Sequence, residues 1–120
     1  MWLSLNKCFL SIVHKDCKPD ELLVRARRKG DIEKVFPAVI AKTTRGTDYA
    51  YRAVVKREVV AQALQDQVMN LNYSNFKDSV RDDALHRAYS SVWSIMGKLQ
   101  EGGPYGNGRK TAFFDESDDE

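Results

Sequence analysis

The chain has few of the residues and motifs on which most metal and catalytic sites depend. Its 120 residues include two cysteines, two histidines and three prolines. Neither a Cys-x-x-Cys pair nor a His-x3-His spacing is present, and such paired ligands are the usual mark of a zinc site. Two cysteines fit a reduced, cytoplasmic protein at least as well as a disulfide scaffold.

Long apolar runs are also missing. The longest are a few residues, whereas a helix needs about 20 apolar residues to cross a bilayer, so we expect no contact with a membrane. The apolar stretch 1–14 lacks the basic region and the small-residue cleavage site of a signal peptide. We therefore expect a cytoplasmic protein.

Four soft side chains are candidates for metal binding or nucleophilic catalysis: Cys8, His14, Cys17 and His86. Zinc accepts such a set, and Cys17 near His14 is a conceivable nucleophile with its base. The flanking residues match neither a nucleophile elbow nor a protease signature, and no glycine-rich phosphate loop precedes a helix. We therefore predict no enzymatic activity, no cofactor and no metal, with Cys8 in the core and Cys17 in a loop.

The composition that is present is that of an ordinary folded protein with unevenly placed charge. Hydrophobic residues make up 42% and charged residues 30%, as in a typical globular domain. The net charge is +2, but without the two basic and five acidic residues of 109–120 it becomes +5. A basic body attracts nucleic acid or an acidic protein partner, and it is equally compatible with an ordinary solvated surface.

Alternating side chains predict four strands, at 2–13, 22–28, 38–44 and 49–56. Asn6 and Lys7 could interrupt the first of them, because asparagine favours turns. In the second strand, Leu22, Val24 and Ala26 share one face, and Arg25 and Arg27 lie on the other. In the fourth strand, the alternation places Tyr49, Tyr51, Ala53 and Val55 inward, with Arg52 and Lys56 outward.

Helical spacing predicts a short helix at 31–36, capped by Asp31, and two longer helices nearer the C-terminus. The first of these covers 57–71 and has an apolar stripe of Val60, Leu64, Val68 and Leu71. The second starts at a capping box formed by Ser79 and Asp82. Its buried face is predicted to consist of Leu85, Ala88, Tyr89, Val92, Met96 and Leu99.

Together these elements predict an α+β fold of order β-β-α-β-β-α-α. Two β-hairpins form a four-stranded antiparallel sheet, and the two C-terminal helices pack on one face. We expect one domain over 1–101. Residues 102–120 are predicted to be a glycine-rich linker and an acidic, flexible, disordered tail.

Six segments resemble a family of small bacterial, plasmid and phage proteins to which no activity is attached. They are Phe9-Leu10-Ser11-Ile12-Val13, Leu23-Val24-Arg25-Ala26-Arg27, Gly30-Asp31-Ile32-Glu33, Asp48-Tyr49-Ala50-Tyr51-Arg52-Ala53-Val54, Tyr73-Ser74-Asn75-Phe76-Lys77-Asp78 and Ala88-Tyr89-Ser90-Ser91-Val92-Trp93. The resemblance spans most of 1–100 and implies an intracellular setting on a mobile genetic element.

The best candidate binding surface is the basic sheet face. Because arginine suits phosphate and carboxylate alike, we predict a partner- or phosphate-binding site at Arg25, Arg27, Arg52, Lys56 and Arg57. A second candidate is a docking tail made of Phe113, Phe114, Asp115 and Glu116, which could bind a basic groove or fold back onto the basic sheet face. Tyr73, Phe76, Tyr89 and Trp93 form a predicted aromatic cluster, either core or interface.

These features favour a non-enzymatic binding protein that acts by protein–protein contact. Given the resemblance, one concrete form is a phage or plasmid inhibitor of a host defence complex. The alternative is an accessory protein that binds nucleic acid through the basic sheet face.

Overall fold

A computed structural model describes residues 1–102 in two compact units, Met1–Asn72 and a second that begins at Tyr73. The elements in chain order are β1 (Trp2–Ser4), β2 (Phe9–Val13), β3 (Glu21–Ala26), α1 (Asp31–Val35), β4 (Lys42–Thr43), β5 (Tyr51–Lys56), α2 (Arg57–Met69), α3 (Phe76–Ser79) and α4 (Asp83–Gly97). None of the helices within 1–102 is long and apolar enough to span a membrane.

The first unit contains one open, antiparallel sheet with the strand order β1-β2-β3-β5-β4. This confirms the α+β class and the antiparallel sheet, but the prediction of four strands is wrong, because there are five. The stretch 2–13 folds back on itself, and the backbone N–H of Leu5 donates to the carbonyl of Cys8 at 3.0 Å. That turn divides one predicted strand into β1 and β2, which pair with each other.

The region between α1 and β5 is less regular than its alternation predicted. Only Lys42–Thr43 of the predicted strand 38–44 pairs with β5. After Pro37 the chain turns, and the backbone N–H of Val39 donates to the carbonyl of Phe36 at 3.0 Å. Ile40 is then left exposed, so apolar character in 38–41 was a poor guide to strand structure.

The core of the first unit lies on the sheet face that α1 and α2 cover. Alternation along the three central strands places Leu10, Ile12, Val24, Ala26, Ala53 and Val55 on this face. From the helical side, Ile32, Phe36 and Val60 pack against them. The predicted inward positions of β3 and β5 are therefore confirmed for Val24, Ala26, Ala53 and Val55.

Asp31 does not cap α1. The N-cap is Gly30, whose φ of 89° is left-handed and suits a residue without a Cβ. Asp31 is instead the first helical residue, and its buried carboxylate lies 3.5 Å from Arg28 Nε and 3.2 Å from Lys34 Nζ. The two cations compensate a charge that burial alone would disfavour.

The second unit is built around α3 and α4. Asp82 is the N-cap of α4 and accepts from the backbone N–H of Leu85 at 3.0 Å. The predicted capping box is wrong in its assignment, because the Ser79 hydroxyl donates to the carbonyl of Phe76 at 2.6 Å. Ser79 therefore closes α3 rather than opening α4.

The predicted aromatic cluster forms within this second unit. Ring centroids of Phe76 lie 5.8 Å from Tyr73 and 5.3 Å from Tyr89. The ammonium group of Lys77 lies 4.4 Å from the ring centroid of Trp93. Val80, Leu85 and Tyr89 are buried, so these contacts form the packed side of α4.

Candidate functional site

Three of the predicted binding residues, which we call the arginine cluster, are Arg25, Arg27 and Arg52. Arg25 on β3 and Arg52 on β5 are direct partners in the antiparallel register. Directly opposed residues project from the same face of a sheet. Both therefore lie on the face opposite the α1 and α2 cover, as the alternation predicted.

Tyr49 lies inside this cluster, which the sequence did not predict. The guanidinium carbon of Arg25 is 4.5 Å from the Tyr49 ring centroid, and that of Arg27 is 4.3 Å away. The tyrosine is 3% exposed. It precedes β5, which starts at Tyr51, so the alternation of the strand does not apply to it and the predicted inward position is wrong.

The remaining polar contacts of the cluster are also internal. Arg25 donates through Nη2 to the Ser11 hydroxyl at 2.6 Å. Arg27 donates through Nη1 to the carbonyl of Asp48 at 2.7 Å. Arg52 donates through Nε to the carbonyl of Tyr49 at 3.3 Å and through Nη2 to the Asp48 carboxylate at 3.3 Å. The three guanidinium groups thus hold the segment before β5 against the sheet.

The arginine cluster keeps an excess of positive charge despite these contacts. Of the three guanidinium groups, Arg52 pairs with a carboxylate, that of Asp48, whereas Arg25 and Arg27 donate to the neutral acceptors Ser11 and the Asp48 carbonyl. Arg27 is exposed, and so is Lys42, which pairs with Arg52 in the β4–β5 register. The cluster is therefore both a structural brace and a basic surface.

Lys56 and Arg57, the other predicted binding residues, lie at the opposite end of β5 from Arg52. Lys56 lies four positions along the strand from Arg52, a distance of about 13 Å. Lys56 Nζ donates to the Asp20 carboxylate at 2.9 Å, and the backbone N–H of Arg57 donates to the carbonyl of Asp20 at 2.7 Å. The five predicted residues therefore form two separate groups.

The Asp20–Lys56 pair shifts the ionisation of both partners. The hydrogen bond from Lys56 lowers the pKa of the Asp20 carboxyl. The same contact raises the pKa of the Lys56 ammonium group. Both side chains are exposed, so water and salt screen the interaction.

The candidate soft ligands are not gathered into one place. Within residues 1–102 no three His, Cys, Asp or Glu side chains are grouped so as to hold a metal ion. His14 Nε2 lies 3.2 Å from the carbonyl of Lys18, and the Cys17 thiol donates to the carbonyl of Glu21 at 3.3 Å. Cys8 is buried, as expected, and that burial raises the pKa of its thiol to about 11.

The predicted docking tail of Phe113, Phe114, Asp115 and Glu116 lies outside the described residues. So does nearly all of the predicted linker and tail at 102–120.

An exposed apolar surface lies on α4. We call it the α4 rib, and it consists of Val92, Ile95 and Met96 together with Leu99 in the turn that follows the helix. These side chains are 45%, 64%, 56% and 77% exposed, respectively. The predicted buried face of α4 is therefore wrong for Val92, Met96 and Leu99, and Ala88 is exposed as well.

The geometry of α4 explains why only part of its apolar surface is covered. At 100° per residue, Leu85, Tyr89 and Trp93 fall on one side of the helix, at spacings of four. Leu85 and Tyr89 are buried, and Trp93 is half-buried. The rib overlaps this side of the helix, because Met96 lies between Leu85 and Tyr89 on the helical wheel, and it extends beyond it to Ile95. The rib residues come later in the chain than Leu85 and Tyr89, so the apolar surface is covered mainly in the first half of α4.

The rib has a basic edge. Arg87 and Lys98 are exposed and project about 80° and 60° around the helix axis from Ile95, both on the side away from Trp93. Asp83 lies in the same sector, one turn before Arg87, but it is at the opposite end of α4 from the rib. An apolar strip beside two cations suits a ligand with apolar groups and carboxylates.

One signal in the sequence could have revealed the rib. The apolar positions 85, 88, 89, 92, 93, 95, 96 and 99 span about 160° of the helix circumference, whereas a helix on a single core needs an arc of about 100°. Searches against protein-family models, curated proteins and solved structures found no match.

Proposed function

We propose that this chain is a non-enzymatic binding protein that docks a protein partner on the α4 rib. The observation that carries the proposal is the exposure of four large aliphatic side chains side by side along one helix. Contiguous apolar patches above a few hundred Å² are uncommon on monomeric proteins and tend to mark interaction sites. Helical faces of this kind bind partners through apolar anchors at i, i+3, i+4 and i+7, and Val92, Ile95, Met96 and Leu99 have that spacing.

The chemistry of the surface defines the class of partner. Apolar anchors on the partner would pack against Ile95 and Met96, where desolvation contributes most of the affinity. Carboxylates next to those anchors would face Arg87 and Lys98, which adds specificity and speeds association. The partner is therefore a protein segment that combines aliphatic or aromatic side chains with neighbouring acidic residues.

The concrete form of this function follows from the resemblance described above. We propose an inhibitor of a host defence complex, carried by a phage or plasmid and acting in the cytoplasm. A small protein without catalytic machinery inhibits by occupying a surface, and an exposed apolar helix provides such a surface.

The test is a selection of peptides from a random displayed library on the purified full-length chain. Selected peptides should combine apolar anchors with acidic residues. Their affinity should fall about tenfold or more for the double variant Val92→Ser with Ile95→Ser, as for a hot-spot loss.

The matched control is Val68→Ser, which removes an exposed valine from α2 and should leave the affinity unchanged. The proposal fails when no peptide class is enriched, or when the selected peptides bind the rib variant as tightly as the original chain.

Nucleic-acid binding by the basic sheet face is a second candidate, favoured by the excess charge of the arginine cluster. Within the cluster, the Asp48 carboxylate pairs with Arg52 alone, which leaves positive charge for phosphates, and Arg27 and Lys42 are exposed. Such binding would weaken steeply with salt and would weaken further in Arg27→Ala with Lys42→Ala. Absence of binding to DNA and RNA at low salt would remove this candidate.

A further inference from the structure

We propose that the α4 rib is occupied, in the absence of a partner, by residues 109–120 of the same chain. The inference rests on the proposed function of the rib and adds its regulation. Phe113 and Phe114 would cover the rib, and the carboxylates that follow them would face Arg87 and Lys98. The tail would thus compete directly with the partner.

The chemistry of the segment matches that of the surface. Two adjacent phenylalanines precede five acidic residues, Asp115, Glu116, Asp118, Asp119 and Glu120. This is the combination of apolar anchors and carboxylates that the rib and its basic edge select. Aromatic rings also bury a large area with few rotatable bonds, which favours them as anchors.

The length of the chain permits the contact. Phe113 follows Gly102, the last described residue, by eleven positions, and eleven residue steps span at most about 36–40 Å when extended. The rib from Val92 to Leu99 is about 10 Å long along the helix axis. The phenylalanines can therefore reach every position on the rib, and a short tether gives them a local concentration in the millimolar range.

The arginine cluster is a poorer site for the same segment. The guanidinium groups of Arg25 and Arg52 already donate to internal acceptors. The ring within the cluster, Tyr49, is 3% exposed and has no face left for a phenylalanine. The cluster offers charge to the acidic residues but little apolar surface to Phe113 and Phe114.

Covering the rib has a measurable consequence for partner binding. When only a fraction of the molecules is open, the apparent dissociation constant rises by the inverse of that fraction. A tail that covers the rib nine-tenths of the time therefore weakens a peptide about tenfold. A partner therefore displaces the tail only if it binds the rib more tightly than the tail does or is present at a high enough concentration.

The experiment compares methyl NMR spectra of the full-length chain with those of the double variant Phe113→Ser with Phe114→Ser. The resonances of Ile95 and Met96 should carry ring-current shifts in the original chain and lose them in the variant. The control is Tyr105→Ser, which removes an aromatic residue outside the segment and should leave these methyl resonances in place. Asp115→Asn with Glu116→Gln should shift them part of the way.

Three outcomes would overturn the proposal. One is no change of the rib methyls in the double variant, and another is an equal change in Tyr105→Ser. The third is a dependence of the shifts on protein concentration, because a contact between two copies weakens on dilution whereas a contact within one chain does not.

Peptide binding separates this inference from the proposed function. If the tail covers the rib, a selected peptide binds the double variant about tenfold more tightly than the original chain. If peptides need Val92 and Ile95 but bind both chains equally, the rib is a docking site and the tail inference alone is wrong. If peptides ignore Val92 and Ile95 while the methyls still respond to Phe113 and Phe114, the proposed function alone is wrong.

Discussion

The arginine cluster and the α4 rib are opposite kinds of surface. Side-chain alternation predicts that the arginine cluster is free to bind a ligand. In the structure, however, its guanidinium groups contact Ser11, Asp48 and Tyr49. The rib consists of aliphatic side chains that helical spacing assigns to a core, yet they are exposed. Residue type alone therefore does not identify a binding surface in this protein, because binding depends on which groups remain without internal contacts.

The difference has an energetic basis. Guanidinium groups that stack on a buried ring and donate to fixed acceptors stabilise the fold, and a ligand must compete with those contacts. Exposed aliphatic groups contribute nothing to the fold through their exposed area, and they gain free energy when a partner excludes water from them. Substitutions in the cluster should therefore change stability, whereas substitutions in the rib should change binding.

The largest expected loss of stability is for a substitution at Tyr49. Tyr49→Ala removes a ring that is 3% exposed and lies against two guanidinium groups. We expect the free energy of unfolding to fall by about 3 kcal/mol, measured by urea denaturation. Tyr49→Phe keeps the ring and should cost less than about 1 kcal/mol. A cost below about 1 kcal/mol for Tyr49→Ala would contradict the bracing role of the cluster.

A smaller loss is expected at Arg25. Arg25→Leu removes the hydrogen bond to Ser11 and the contact with the Tyr49 ring, and should cost about 1–2 kcal/mol. Arg45→Leu, at an exposed arginine in the turn before β5, is the matched control, and we expect a change within about 0.5 kcal/mol. Equal costs for the two substitutions would show that Arg25 contributes no more than an ordinary surface arginine.

Substitutions in the rib should change the free energy of unfolding very little. Because Ile95 is 64% exposed, Ile95→Ser should change the free energy of unfolding by no more than about 0.5–1 kcal/mol, mostly through the lower helix propensity of serine. Leu85→Ser on the covered side of the same helix, where the side chain is 7% exposed, should cost several times more in the same denaturation experiment. A large loss for Ile95→Ser would place the rib in a core and remove it as a docking surface.

The smallest effect concerns the exposed Asp20–Lys56 pair. Its hydrogen bond lowers the pKa of Asp20, so the stabilisation from Asp20 is present above its unfolded-state pKa and is lost as pH falls through the lower, folded value. The raised pKa of Lys56 gives a contribution that is present below its unfolded-state pKa and is lost as pH rises through the higher, folded value.

This pair can be tested by NMR titration of the Asp20 carboxyl. In Lys56→Met the pKa of Asp20 should move up towards its ordinary value, because the main cause of its depression is removed. In Lys42→Met, a change at another exposed lysine, it should stay where it is. An unchanged Asp20 pKa in Lys56→Met would show that the contact is not maintained in solution.

The elements with clean periodicity could be predicted from the sequence, and the deviations have identifiable causes. Arg25 and Arg52 share a face because side-chain alternation and antiparallel pairing fix that relation. Tyr49 was misplaced because the strand starts two residues later, and alternation predicts nothing about a residue in a turn. The turn preference of Asn6 marked the break in the first strand, but no glycine or proline is present there to show that the chain reverses direction and forms an additional strand.

The exposure of the rib could not be predicted from periodicity. Hydrophobic spacing shows that Val92 and Met96 share the apolar side of α4 with Leu85, but not how much of that side is covered. Coverage depends on the short length of α3 and on where Tyr73 and Phe76 pack. These are properties of the folded unit rather than of the helix itself.

The most direct test of the contrast between the two surfaces measures unfolding and peptide binding on the same pair of full-length variants, Arg25→Leu and Ile95→Ser. We predict that Arg25→Leu lowers the free energy of unfolding and leaves the affinity for the selected acidic, apolar peptide unchanged. Ile95→Ser should weaken that affinity and leave unfolding almost unaffected. The reverse result, with binding lost in Arg25→Leu and stability lost in Ile95→Ser, would contradict the account.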